Sequence, residues 1–133
     1  MQSARVASAK GAVVTVIDGL VGWALCGATM GVGMKVTTLE VALVLHAIAA
    51  PVIFTCISLA YFHHVDSWAP VRAAAAFLGV VAVMDVFVVA LLIERSFEMF
   101  GSILGTWLPF VLMFISTWCT GLAVRRASHR ATA

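Results

Sequence analysis

Residues 71–93 read VRAAAAFLGVVAVMDVFVVALLI, and this stretch decides the fold. Only Arg72, near its start, and Asp85, inside it, carry charge. A helix of this length spans about 35 Å, enough to cross a hydrocarbon core of about 30 Å. Buried strands stop at roughly four to eight residues, so length alone selects a helix. Its many valines weaken helix propensity in water. In lipid an unmet backbone hydrogen bond costs far more, and the helix prevails.

Outward from this run, three others have the same character: Gly11 to Met34, Leu39 to Phe62 and Ile103 to Val124. With Val71 to Ile93 they predict an all-α polytopic membrane protein, a single domain built as a four-transmembrane-helix bundle. Composition agrees. Of 133 residues 63% are hydrophobic and 11% charged, against about 25% charged in a soluble domain. A soluble chain this short buries only about two thirds of its surface. A lipid bilayer is therefore the expected partner. A net charge of +2 is too small to point to nucleic acid.

The basic residues set an expected orientation. Arg5, Lys10, Arg72, Arg125, Arg126 and Arg130 fall on the side that carries both termini, and Lys35 and Arg95 on the other. Six against two on short loops predicts N-in, C-in topology in a cell inner membrane or plasma membrane. Inverted or dual insertion is the alternative. The first run follows Arg5 and Lys10 as a signal peptide would, but it is too long for one and reads as the first membrane helix. Thr37 or Thr38 suits the cap of the second helix, and Pro70 suits the first turn of the third.

Several features bear on packing. Gly27 and Gly31 form a G-x-x-x-G pair, which lets helix backbones approach closely. The contact is expected inside the bundle or, alternatively, in a homo-oligomer. Ala73 to Ala76 offer a second smooth surface. Pro51, near the middle of the second helix, predicts a kink that frees the Ala47 carbonyl beside His46. Trp68 and Trp107 read as interfacial belt residues, while Trp23 is too deep for a belt. Phe97, Phe100 and Leu104 predict a short surface helix in the outer loop. Glu94 and Glu98 there, with Glu40, suggest an acidic outer mouth.

Cofactor signals are lacking. Cys26, Cys56 and Cys119 are unpaired in sequence and read as apolar filler. His63, His64 and Asp66 form an H-H-x-D cluster, but adjacent histidines on a helix diverge, so no metal site is expected. His46 is the one histidine deep in a span, which disfavours bis-histidine haem.

Ionisable groups inside a membrane default to function. Three qualify: Asp18, His46 and Asp85. His46 lies about 15 Å of helix from Lys35, and Asp85 about 13 Å from Glu94. Similar depth on sequential helices makes His46 and Asp85 the natural pair, with Asp18 as the inner end of the same polar track. Thr106, Met113, Thr117 and Thr120 form a stripe on the fourth helix that faces these charges or bonds back to its own turns. The expected function is proton-coupled transport or permeation of a small solute by an oligomer. One alternative is a membrane enzyme that uses His46 and Asp85 as acid and base on a lipid-soluble substrate. The other is a non-catalytic accessory subunit whose polar groups only specify packing.

Overall fold

The computed structural model describes residues 2–65 and 68–132. The helix α1 covers Gln2–Val36, α2 Leu39–His64, α3 Pro70–Met84 and α4 Leu108–Ala131. A π-helical segment, Asp85–Ile93, continues α3 without a break, and a shorter one, Ile103–Trp107, leads into α4. Among the described residues four stretches are long and apolar enough to cross a membrane: Ser8–Val36, Leu39–His64, Pro70–Ile93 and Ile103–Ala131. The expected four-helix membrane fold is therefore the observed one.

Both outer helices run past their apolar cores. The first starts at Gln2 rather than Gly11, and the fourth ends at Ala131 rather than Val124. Hydropathy marks only the part of a helix that meets lipid. Alanines and arginines, both good helix formers, carry it further.

The contacts fix an antiparallel arrangement. Gly33 meets Ala42 at one end, and Thr15 meets Tyr61 toward the other. Gly121 lies against Phe62 and Pro70, and Arg125 donates to the Trp68 carbonyl, so both termini share an end. Around the bundle, α1 packs along α2 and α3, and α4 packs along the same two. The helices α2 and α3, consecutive in sequence, thus stand on a diagonal.

Large aromatic side chains fill that diagonal. Phe54 and Tyr61 of α2 and Phe77 of α3 are essentially fully buried. The Phe77 ring centroid lies 5.9 Å from that of Phe54 and 5.3 Å from that of Tyr61, both in tilted or edge geometry. Such pairs contribute about 0.5–1.5 kcal/mol beyond burial. Ala73 and Ala74 are also buried, so part of the smooth alanine surface serves the core. Thr15 donates to the Gly11 carbonyl at 2.7 Å, which leaves its lone pairs for the Tyr61 hydroxyl 2.9 Å away. Tyr61→Phe should therefore lower stability by only about 0.5–1 kcal/mol, the scale of interhelical hydrogen bonds in membranes, as measured by denaturant titration in micelles. A loss above 2 kcal/mol would show that the hydroxyl carries more than this one bond.

Other expectations divide. Thr38 is the N-cap of α2, although its hydroxyl stands 3.5 Å from Val41 N, and Pro70 opens α3. The helix α2 is continuous through Pro51, whose carbonyl accepts from Thr55 Oγ1 at 2.7 Å. The Gly27–Gly31 pair makes no contact inside the bundle: a Cβ at either position would meet nothing within 4 Å. Close approach falls instead to Gly22, against the Phe54 ring, and to Gly121, against Phe62 and Pro70. Periodic glycine spacing marks a permissive face but not the direction in which it points. The predicted surface helix is a single 3-10 turn, Glu98–Gly101, after Arg95 takes the left-handed φ of 52°. The Phe97 and Phe100 rings stack there at 6.2 Å. Asp66, of the H-H-x-D cluster, lies outside the described residues.

Candidate functional site

Asp85 stands where α3 passes into its π-helical continuation. At the far end of that segment Glu94 N bonds to Val89 O at 2.8 Å, a five-residue reach. Wide turns rotate the following side chains away from an α-helical wheel. Leu92, which a regular helix would put on the Asp85 face, is 70% exposed, whereas Val81, on the regular side, is buried. π segments recur at functional sites because they re-aim side chains at some cost in regularity.

The Asp85 carboxylate is half-buried, and its Oδ1 accepts from Trp23 Nε1 at 2.9 Å. Trp23 comes from α1 and packs on the aromatic core with its ring. Cys26, one turn further along the same face, is buried and within electrostatic reach of Asp85. On its other side, the Cys26 backbone meets the ring of His46 on α2. His46 Nδ1 is buried with no hydrogen-bond partner.

Asp85 and His46 are therefore not joined by the direct hydrogen bond expected of a pair. Each group instead meets α1, Asp85 at Trp23 and His46 at the Cys26 backbone. Asp18 sits elsewhere, about 7.5 Å of helix closer to the N-terminus than Trp23. It is half-buried and within electrostatic reach of Tyr61 and His64.

The α4 stripe faces inward as a unit: Thr106, Met113, Thr117 and Thr120 are all buried. Most of its hydroxyls return to backbone. Thr106 donates to Met99 O at 2.7 Å and Thr120 to Ser116 O at 2.6 Å. Thr117 Oγ1, like Ser58 Oγ on α2, is buried without a partner. Trp68 Nε1 is a fourth such atom, at the end that carries both termini. Unsatisfied buried polar groups cost about 1–3 kcal/mol each, so four in one small bundle call for a role.

Sequence reasoning missed Trp23 as the partner of Asp85. The available signal was its depth, since an indole far from the interface needs an acceptor. Among the described residues no group of His, Cys, Asp and Glu could hold a metal ion, and the three cysteines are free. Comparison with family models, curated proteins and solved structures gave no match.

Proposed function

We propose that this membrane protein moves protons across the bilayer, coupled to a small solute, with Asp85 as the proton-binding group. One observation carries the reading. A carboxylate inside a membrane span has a single neutral hydrogen-bond donor, Trp23. Burying a charged aspartate there costs about 2.5–3.5 kcal/mol on insertion scales. One interhelical hydrogen bond returns about 1 kcal/mol. The deficit favours proton binding. His46 Nδ1, Thr117 Oγ1 and Ser58 Oγ are further buried polar atoms on the surrounding helices, and they supply stations between Asp85 and the Tyr61–Asp18 end. Phe54, Phe77 and Tyr61 occupy the axis of one chain. In this reading the solute path lies between chains of an oligomer, with the outward-facing Gly27 and Gly31 as its contact.

The test uses purified protein in liposomes loaded with a pH-sensitive dye, with protons driven by a potassium diffusion potential. Wild type should change internal pH faster than protein-free vesicles, and Asp85→Asn should fall to the protein-free rate. Equal rates for all three would sink the proposal.

One observation favours the enzyme reading instead. A lateral apolar groove of about 410 Å3 opens between α1 and α3, lined by Val16, Leu20, Ala76, Gly79 and Met84 among others. Met84 adjoins Asp85, so a lipid-soluble substrate could enter there from the bilayer. Wild-type vesicles that move no protons would leave this reading standing.

A further inference from the structure

Most hydroxyls in the spans are spent on their own helix. Thr15, Thr29, Thr55 and Thr120 each donate to the carbonyl four residues back, at 2.6 to 2.9 Å. Ser58 on α2 and Thr117 on α4 do not. Both side chains are fully buried, and neither hydroxyl has a partner. The return bond to the carbonyl of Phe54 or Met113 needs only a rotation about χ1. A hydroxyl that forgoes it while shut away from bulk water gives up about 1–3 kcal/mol unless something else meets it.

Register brings the two hydroxyls together. The helices α2 and α4 run in the same direction, with Leu43 against Gly105 toward one end and Phe62 against Gly121 toward the other. Ser58 and Thr117 stand four residues before Phe62 and Gly121, so each lies one turn back on the same face. They therefore meet at one depth along the α2–α4 contact. The antiparallel α3 passes there too. Pro70 lies against Gly121, and Ala74, one turn beyond Pro70, is fully buried at the level of Thr117. On these three helices small side chains make up the layer, between the Phe62 ring on one side and the Phe54–Phe77 pair on the other.

We infer that Ser58 and Thr117 bind one buried water molecule between α2 and α4. Each hydroxyl can both donate and accept, so a water between them satisfies both at once. A buried water typically makes about three hydrogen bonds, to groups otherwise unpaired. The second lone pair of the Phe54 carbonyl, one turn before Ser58, is the acceptor nearest to hand for a third. The pair carries no charge and offers two side-chain oxygens, which suits a neutral molecule. A hard metal cation would need about six oxygen ligands. Thr15 and Tyr61 already tie α1 to α2, and Trp23 and Asp85 tie α1 to α3. The water gives α2 and α4 a polar tie of the same kind, and its binding does not depend on whether Asp85 carries protons.

The test is water-edited solid-state NMR on the full chain, isotope-labelled and reconstituted in lipid vesicles. Magnetisation that starts on water is followed to the Cβ of each serine and threonine. Thr15 is the internal reference. It is buried as deeply, beside Tyr61, and its hydroxyl is already committed to Gly11 O and the Tyr61 hydroxyl. Ser58 and Thr117 should receive magnetisation faster than Thr15. Thr117→Val keeps the shape and removes one partner, and the Ser58 rate should then fall to that of Thr15. Thr117→Ser keeps the hydroxyl, and the Ser58 rate should stay at its wild-type value. Wild-type Ser58 and Thr117 as slow as Thr15 would overturn the inference, whether the two hydroxyls bond to each other or return to their own carbonyls. Fast transfer to Ser58 that survives Thr117→Val would overturn it as well, because the water would not be shared. The first comparison needs only the wild-type chain, so it decides even where a variant fails to fold.

Discussion

Gly22→Val is expected to destabilise the bundle by about 3 kcal/mol, the upper part of the range for overpacking, while Gly27→Leu and Gly31→Leu leave chain stability within about 0.5 kcal/mol. The three glycines share one helix and differ in what faces them. A Cβ at Gly22 would stand 2.4 Å from Phe54 Cζ and 2.8 Å from its Cε1. Phe54 has no exposed surface, and its ring is held against Phe77 at 5.9 Å. The ring has nowhere to go, so α1 must move away from α2. That shift would also carry Trp23, one residue along, off Asp85. Shortening the obstacle should help: Phe54→Leu in the Gly22→Val background is expected to recover about half the loss, net of the smaller side chain's own cost. At Gly27 and Gly31 the added side chain enters open space. If copies of the chain associate through this face, the same substitutions reduce oligomer size in detergent and in lipid. Denaturant titration in micelles measures the first quantity, and crosslinking in vesicles the second. Equal destabilisation at Gly22 and Gly27 would contradict the packing described above.

That contrast shows what the sequence conveyed and what it did not. The spans were legible because the bilayer imposes them: a run such as Leu39 to Phe62 has one way to satisfy its backbone in hydrocarbon. The inward stripe of Thr106, Met113, Thr117 and Thr120 was legible for a related reason, since hydroxyls avoid lipid and recur at helical spacing. Hydropathy carries no information about azimuth or ring order, however. Placing α2 and α3 side by side because they are consecutive made His46 and Asp85 a contact pair. In the observed order α2 and α3 meet only across the axis, through Phe54, Tyr61 and Phe77, and Asp85 finds its partner on α1. A regular wheel of about 3.6 residues per turn would put Leu92 on the Asp85 face, but the segment between them is π-helical. Nothing in the apolar run from Asp85 to Ile93 announces that change. A Gly-x-x-x-Gly pattern likewise identifies a face but cannot choose between a neighbour in the chain and one outside it.

Asp85→Asn is expected to slow proton movement on the order of 100-fold, the effect of removing a stop that offsets about 3 kcal/mol of charge burial, while thermal stability in detergent stays near wild type. Asparagine keeps an oxygen where Trp23 Nε1 donates, so the 2.9 Å hydrogen bond survives the loss of charge. Trp23→Phe makes the opposite cut. The carboxylate remains able to take a proton, but its donor is gone, and stability should fall by about 1–3 kcal/mol as an unpartnered polar group is left behind. Proton movement should drop far less than in Asp85→Asn. The double variant Trp23→Phe with Asp85→Leu separates the roles. Removing both partners together is close to neutral for folding, so this variant should be more stable than Trp23→Phe alone and should still move no protons. His46→Leu adds the remaining comparison. It deletes a buried Nδ1 that has no partner and a ring that meets the Cys26 backbone, so it should cost no more than one interhelical hydrogen bond, about 1 kcal/mol, and a large loss of proton movement then belongs to the imidazole rather than to packing. A purely structural Asp85 predicts the reverse pattern. The apolar double variant would then match wild type in vesicles, and Trp23→Phe would be the more damaged protein in both measurements.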